Sequence, residues 1–271
     1  MKKIVYLLFF LLFVVPVFAD REGHMKLLAV SESSDGDVGG IADLFLEIKD
    51  GSGRVFLETF PLTKVDTQIS TRFAKEIACD FSTVDCNKFD FFYTITSGSS
   101  IIGGPSAGTA ISVLTFSLIE DIKFDENVAI TGTINSGGVV GPVGGLKAKV
   151  EAANRAGISK VLIPIGESIG NGNESNESVN GTFDLNRTRK ELGLEIKEVA
   201  TLDEAIFEFT GKRFREKKEN LTISSEYADT MKELAIQLCS RSTKLRNGIM
   251  NDTDNSTTDM FNTAVNLSSR G

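Results

Sequence analysis

Ser106 stands in the run Gly103-Gly104-Pro105-Ser106-Ala107-Gly108, in the first turn of a segment that reads as a helix to about Glu120. Backbone N–H groups in the first turn of a helix have no acceptor within it. Proline suits the first helical position because it has no N–H to leave unpaired. The flanking glycines allow a second backbone to come close. A hydroxyl placed there has two readings: it caps its helix, or it is a nucleophile whose oxyanion is received by the N–H groups of Ser106 and Ala107.

Lys149 supplies the second chemical element, in Gly144-Gly145-Leu146-Lys147-Ala148-Lys149-Val150-Glu151-Ala152-Ala153. At helical periodicity Leu146, Lys149, Val150 and Ala153 share one face, whereas Lys147, Glu151 and Asn154 point elsewhere. Lys147 is therefore expected in solvent as a partner of Glu151. Lys149 projects from the apolar face, where burial disfavours the ammonium and lowers its pKa. A neutral amine can take the proton of a serine hydroxyl, which an ordinary lysine does poorly at neutral pH. The other reading is that its stem covers apolar surface while the ammonium reaches water.

Other chemistries find little material here. His24 is the single histidine of the 271 residues and is expected in a mobile N-terminus, which argues against a Ser-His-Asp triad and a histidine-rich zinc site. Three cysteines without close spacing do not replace it, and no P-loop sequence for ATP occurs. Neither a metal nor a cofactor is expected. With 37 acidic against 29 basic residues, nucleic acid is an unsuitable partner.

Alternating patterns must position these residues. Strands are expected at Met25 to Val30, Ile41 to Ile48 and Arg54 to Phe60, the last two joined as a hairpin through Asp50-Gly51-Ser52-Gly53. A helix over Thr67 to Phe81 presents Ile69, Phe73, Ile77 and Ala78 on one side, and Phe89 to Ile95 reads as a buried strand. A strand over Val128 to Ile134, a helix over Gly145 to Ala156 and a strand over Lys160 to Pro164 follow, then a last strand and helix at Leu194 to Val199 and Leu202 to Phe209. The fold class is mixed α/β.

The motifs Gly104-Pro105-Ser106-Ala107-Gly108, Thr131-Gly132 and Gly144-Gly145-Leu146-Lys147-Ala148-Lys149 resemble, in order, those of the proteolytic domain of Lon-family serine proteases, over roughly Lys26 to Phe209. The resemblance implies Ser106 as nucleophile and Lys149 as base, and their separation of 43 residues fits it. It makes Thr131 a candidate to bond the lysine amine; a plain strand threonine is the alternative. Three features depart from the family: no ATPase is present, Gly103 replaces its acidic residue, and an export signal precedes the domain. Together they look like exported or membrane-anchored archaeal Lon-like proteases. Polypeptide substrates that are short or unfolded are implied, and the rings formed by Lon relatives suggest a homo-oligomer by analogy only.

Four segments are expected: a signal peptide over 1–19, a proteolytic domain over 24–210, a helix over 221–247 and a disordered polar tail over 248–271. Lys2 and Lys3, the apolar stretch Ile4 to Ala19 and Val17-Phe18-Ala19 form the export pattern, interrupted by Pro16 and too short to span a bilayer. This places the protein outside the cytoplasm, soluble or held to a membrane only by that segment. There Cys79 and Cys86, seven residues apart, become a candidate disulfide, leaving Cys239 over; neither side chain's direction can be read from sequence. Sequons at Asn173, Asn176, Asn180 and Asn186, with others at Asn220, Asn251, Asn255 and Asn266, favour glycosylated surface loops. In the 221–247 helix, Tyr227, Met231, Leu234 and Leu238 form a stripe expected to pack on the domain. Two rivals to a protease remain: a non-catalytic module holding a peptide carboxylate or other anion at the helix after Pro105, and a small-molecule kinase.

Overall fold

The computed structural model describes residues 21–33, 36–98, 103–166, 185–214 and 224–249. Strands β1 (Arg21–Ser33), β2 (Gly36–Asp50), β3 (Val55–Phe60) and β4 (Phe89–Ser97) form a sheet in the order β1-β2-β4-β3. β1 and β2 make a long antiparallel hairpin, with Arg21 opposite Ile48. His24 is thus a strand residue, not part of a mobile terminus; its ring meets Asp43 Oδ1 at 2.8 Å and packs beside Phe45.

The expected hairpin between β2 and β3 does not form. β4 lies between them, antiparallel to β2 and parallel to β3. Phe91, Tyr93 and Ile95 of β4 are fully buried, and a strand apolar enough to be covered belongs in the sheet's interior. The Asp50-Gly51-Ser52-Gly53 turn wraps the start of β4 instead: Gly51 N donates to Lys88 O and Gly53 N to Phe89 O, both at 2.8 Å. The Asp90 carboxylate accepts from Ser52 N and Arg54 N and pairs with the Arg54 guanidinium at 2.6 Å. The Arg54 bond first, then the Ser52 amide, hold its pKa down to about 2.

Helix α1 (Val65–Phe81) packs on α2 (Gly108–Ile119), which is buried at every position from Gly108 to Ser117. A helix apolar all round belongs in a core, and α2 is covered by the sheet on one side and α1 on the other. The buried face of α1 is only partly the expected one: Ile77 and Ala78 are buried as expected, the other two are not. Thr67, Thr71, Ala74 and Ala78 face α2, while Ile69 and Phe73 lie exposed. Small residues let the two helices approach; Ser112 Oγ of α2 donates to Ala74 O at 3.0 Å.

A second layer contains β5 (Val128–Ile130), β8 (Lys160–Pro164) and β9 (Glu195–Val199), parallel in the order β5-β8-β9. Short β6 (Thr133–Ile134) pairs with β7 (Val140–Gly141). The strand expected over Val128 to Ile134 is therefore broken at Thr131-Gly132. Helices α3 (Leu146–Arg155), α4 (Leu185–Leu192) and α5 (Leu202–Thr210) complete this layer, and α3 closes a second apolar cluster through Leu146, Val150 and Ala153. The mixed α/β class is the one the alternation implied.

A disulfide joins Cys79, near the end of α1, to Cys86 before β4, and Cys239 is free and exposed. The last helix, α6 (Ser225–Ile249), does not pack on the domain as expected: all its described side chains are exposed. Gly248 and Ile249, expected in the tail, belong to this helix; the remaining tail, the 1–19 segment and the sequons at Asn173, Asn176, Asn180, Asn220, Asn251, Asn255 and Asn266 lie outside the described residues. Asn186 is exposed, in α4 rather than a loop, and Thr188 of its sequon is buried. No helix among the described residues is long and apolar enough to cross a membrane.

Candidate active site

Ser106 sits in a turn two residues before α2, not in the first turn of the helix as expected. The turn is held from both sides. On one side Gly104, at φ 93°, donates its N–H to Asp66 Oδ2 at 3.1 Å, and Thr67 Oγ1 donates to Gly104 O at 3.3 Å. Asp66 and Thr67, in the first turn of α1, were not singled out in the sequence. Their only local signal is an Asp-Thr pair at a helix start, which normally indicates capping.

On the other side the backbone of 106–109 is laced to 131–133. Gly132 N donates to Ser106 O at 2.9 Å, and Thr109 N donates to Gly132 O at 3.1 Å. Thr109 Oγ1 lies 3.1 Å from both Gly132 O and Thr133 O. Such lacing needs bare backbone: a Cβ on Gly132 would come within 2.6 Å of Val140, and one on Gly108 within 3.0 Å of Ile134. The same demand explains why the β5 strand stops where it does.

Thr131 is fully buried and donates its own N–H to Leu162 O of β8. Its hydroxyl lies 3.5 Å from Ser106 O and accepts a hydrogen bond from Lys149 Nζ at 3.2 Å. Lys149 is 2% exposed. Lys147 is exposed, so the two lysines lie on opposite faces of the helix, as their spacing implies. The tight entry to α3 fixes the direction of Lys149: Gly145 caps the helix in the left-handed region at φ 64°, and a Cβ there would strike Val30 of β1. One turn on, α3 lies directly against β2, where a Cβ on Gly39 would run into the Ala148 carbonyl.

Three segments distant in sequence thus converge. The serine's backbone, the threonine hydroxyl and the lysine amine form one chain of contacts, with Thr131 at its centre. A hydroxyl nucleophile, a buried amine and nearby backbone N–H groups are the parts required for acyl transfer through a covalent intermediate. The anion-binding alternative loses donors, because Gly108 N already serves Pro105 O and Thr109 N serves Gly132 O. His24, bonded to Asp43, belongs to the outer sheet.

Comparison with known proteins agrees with this geometry. A family model described as the Lon protease (S16) C-terminal proteolytic domain matches residues 64–206, from the start of α1 into α5. The chain is 40% identical over 116 residues to the Lon protease of Clostridium beijerinckii, covering 42% of this chain and 14% of that protein. It is 34% identical over 134 residues to the Lon protease of Methanosphaera stadtmanae, covering 49% and 15%. It is 37% identical over 84 residues to the archaeal Lon protease of Methanothermobacter thermautotrophicus, covering 31% and 13%. The chain therefore spans only about a seventh of the length of these relatives. With over half its residues matched, and the Ser106, Thr131 and Lys149 segments inside the match, the chain belongs to the family of the Lon protease C-terminal proteolytic domain.

Proposed function

We propose that this protein is a serine endopeptidase that works without ATP through a Ser106/Lys149 dyad. The observation that carries the reading is the buried Lys149 amine bonded to Thr131, beside the backbone clamp that fixes Ser106. Lys149 takes the Ser106 proton as Oγ attacks the scissile carbonyl, and the N–H groups of Ser106 and Ala107 receive the oxyanion. The lysine then gives the proton to the leaving amine. Water activated by the same amine attacks the acyl-enzyme and releases the second product. Thr131 holds the amine in line. Short or unfolded polypeptides are the substrates, since nothing in the reading supplies unfolding.

The dyad predicts that a fluorophosphonate labels the protein at Ser106 and that casein is cleaved. Ser106→Ala and Lys149→Ala should each lower cleavage about a thousandfold or more. Retained cleavage in both variants would refute the dyad.

The same proposal puts the protein outside the cytoplasm, free or held by its N-terminal segment. The signal pattern over 1–19 and the Cys79–Cys86 disulfide support this, because disulfides persist in oxidising compartments. Mass spectrometry of the exported protein should find a new terminus at Asp20 and sugar on some of the Asn sequons. An intact Met1 on protein recovered from the cytoplasm counts against it.

A further inference from the structure

Helix α6 lies beyond the segment matched by the family and presents every described side chain to solvent. A helix in a protein draws most of its stability from packing an apolar face, and over the 25 residues of α6 no described residue buries one. Tyr227, Met231, Leu234, Leu238, Arg241 and Leu245 recur at alternating intervals of four and three, the spacing of a coiled-coil seam. Met231, Leu234, Leu238 and Arg241 line one shallow groove along the helix.

We infer that α6 of one chain pairs antiparallel with α6 of a second copy. The seam is symmetric about Ile236: Tyr227 and Leu245, Met231 and Arg241, Leu234 and Leu238 stand equally far on either side. An antiparallel crossing at Ile236 therefore brings each seam residue onto its counterpart, as a two-fold interface requires. Charge selects the same direction. The first half carries Glu226, Asp229 and Glu233 against Lys232, while residues 237–245 carry Arg241 and Lys244 and no carboxylate. Antiparallel pairing sets the acidic half on the basic half; parallel pairing sets like on like. Arg241 then lies opposite Met231, its stem over the thioether and its guanidinium among the partner helix's carboxylates. Ala235, beside the seam near the crossing, adds no bulk there.

Two measurements on the full chain test this. Analytical ultracentrifugation at tens of micromolar should give an even number of chains, and Leu234→Asp with Leu238→Asp should halve that mass without changing domain melting. For direction, a spin label on Ser225→Cys in a Cys239→Ser background sits 11 residues from the crossing. At about 1.5 Å per residue, antiparallel pairing separates the two labels by about 33 Å, whereas parallel pairing leaves about 10 Å. A single-chain wild type, an unchanged mass in the double variant, or a distance near 10 Å overturns the inference. None of these outcomes depends on whether Ser106 is a nucleophile.

Discussion

Two polar regions of this domain handle buried charge in opposite ways. Around the start of β4, charge meets charge. Lys75 is 3% exposed, its amine 3.1 Å from Glu76 and above the Phe91 ring, and Asp90 is sealed by Arg54 and two backbone amides. Around Ser106, the Lys149 amine is just as buried, yet it bonds a neutral hydroxyl. Burial of a lysine is therefore not what marks a site. Its surroundings matter: the Lys75 amine meets the Glu76 carboxylate, away from Ser106, whereas the Lys149 amine donates to a hydroxyl that itself lies against the Ser106 backbone.

The contrast is sharpest when each lysine is replaced by methionine, which keeps most of the volume. Lys149→Met should slow fluorophosphonate labelling of Ser106 by roughly 10²- to 10⁴-fold, the usual contribution of a general base. Its melting temperature should change little, since the Thr131 hydroxyl keeps Ser106 O as a partner and methionine fills most of the space. Lys75→Met should leave labelling within about twofold. Equal losses of activity in both variants would erase the distinction between the two regions.

The next effect concerns Thr131. Thr131→Val removes one acceptor of the buried Lys149 amine, a cost of about 1–3 kcal/mol. If that cost falls on the catalytic arrangement, turnover drops about 5- to 150-fold. Thr131→Ser restores the hydroxyl and should recover most of the rate. A positioning role predicts this rescue; a role in packing alone predicts that valine, the closer match in shape, is the better tolerated.

What could be read in the sequence follows the range of the forces involved. The face of α3 was legible because a helix repeats locally, and Lys149 and Lys147 fall on opposite sides of one short segment. The pairing of β4 between β2 and β3 was not, because the turn at Asp50 to Gly53 looks the same whether its strands pair or enclose a third. Ile69 and Phe73 misled for a related reason: apolar residues mark a buried face only when nothing else needs it, and here α2 required small residues. The clamp of Asp66 and Thr67 on Gly104, and the clearance of Gly39 beneath Ala148, join segments dozens of residues apart. Gly39→Ala should displace α3 and cost about 1–3 kcal/mol by overpacking, with lost labelling reporting that Lys149 has moved.

Acid should weaken the packing of the charge-paired region only at its extreme. The Asp90 carboxyl ionises at about 2 in the folded chain, below its ordinary value of 3.8. A group depressed in this way stabilises the fold fully above the unfolded value and loses that contribution as pH falls through the folded one. Wild-type stability should therefore decline between about pH 4 and pH 2 with a component that Asp90→Asn lacks, although that variant is less stable at neutral pH because Arg54 loses its partner. Denaturant melts of both proteins at pH 7, 4 and 2.5 measure the difference. If the gap between them fails to narrow in acid, Arg54 is not what holds Asp90 ionised, and the two regions differ less than their geometry indicates.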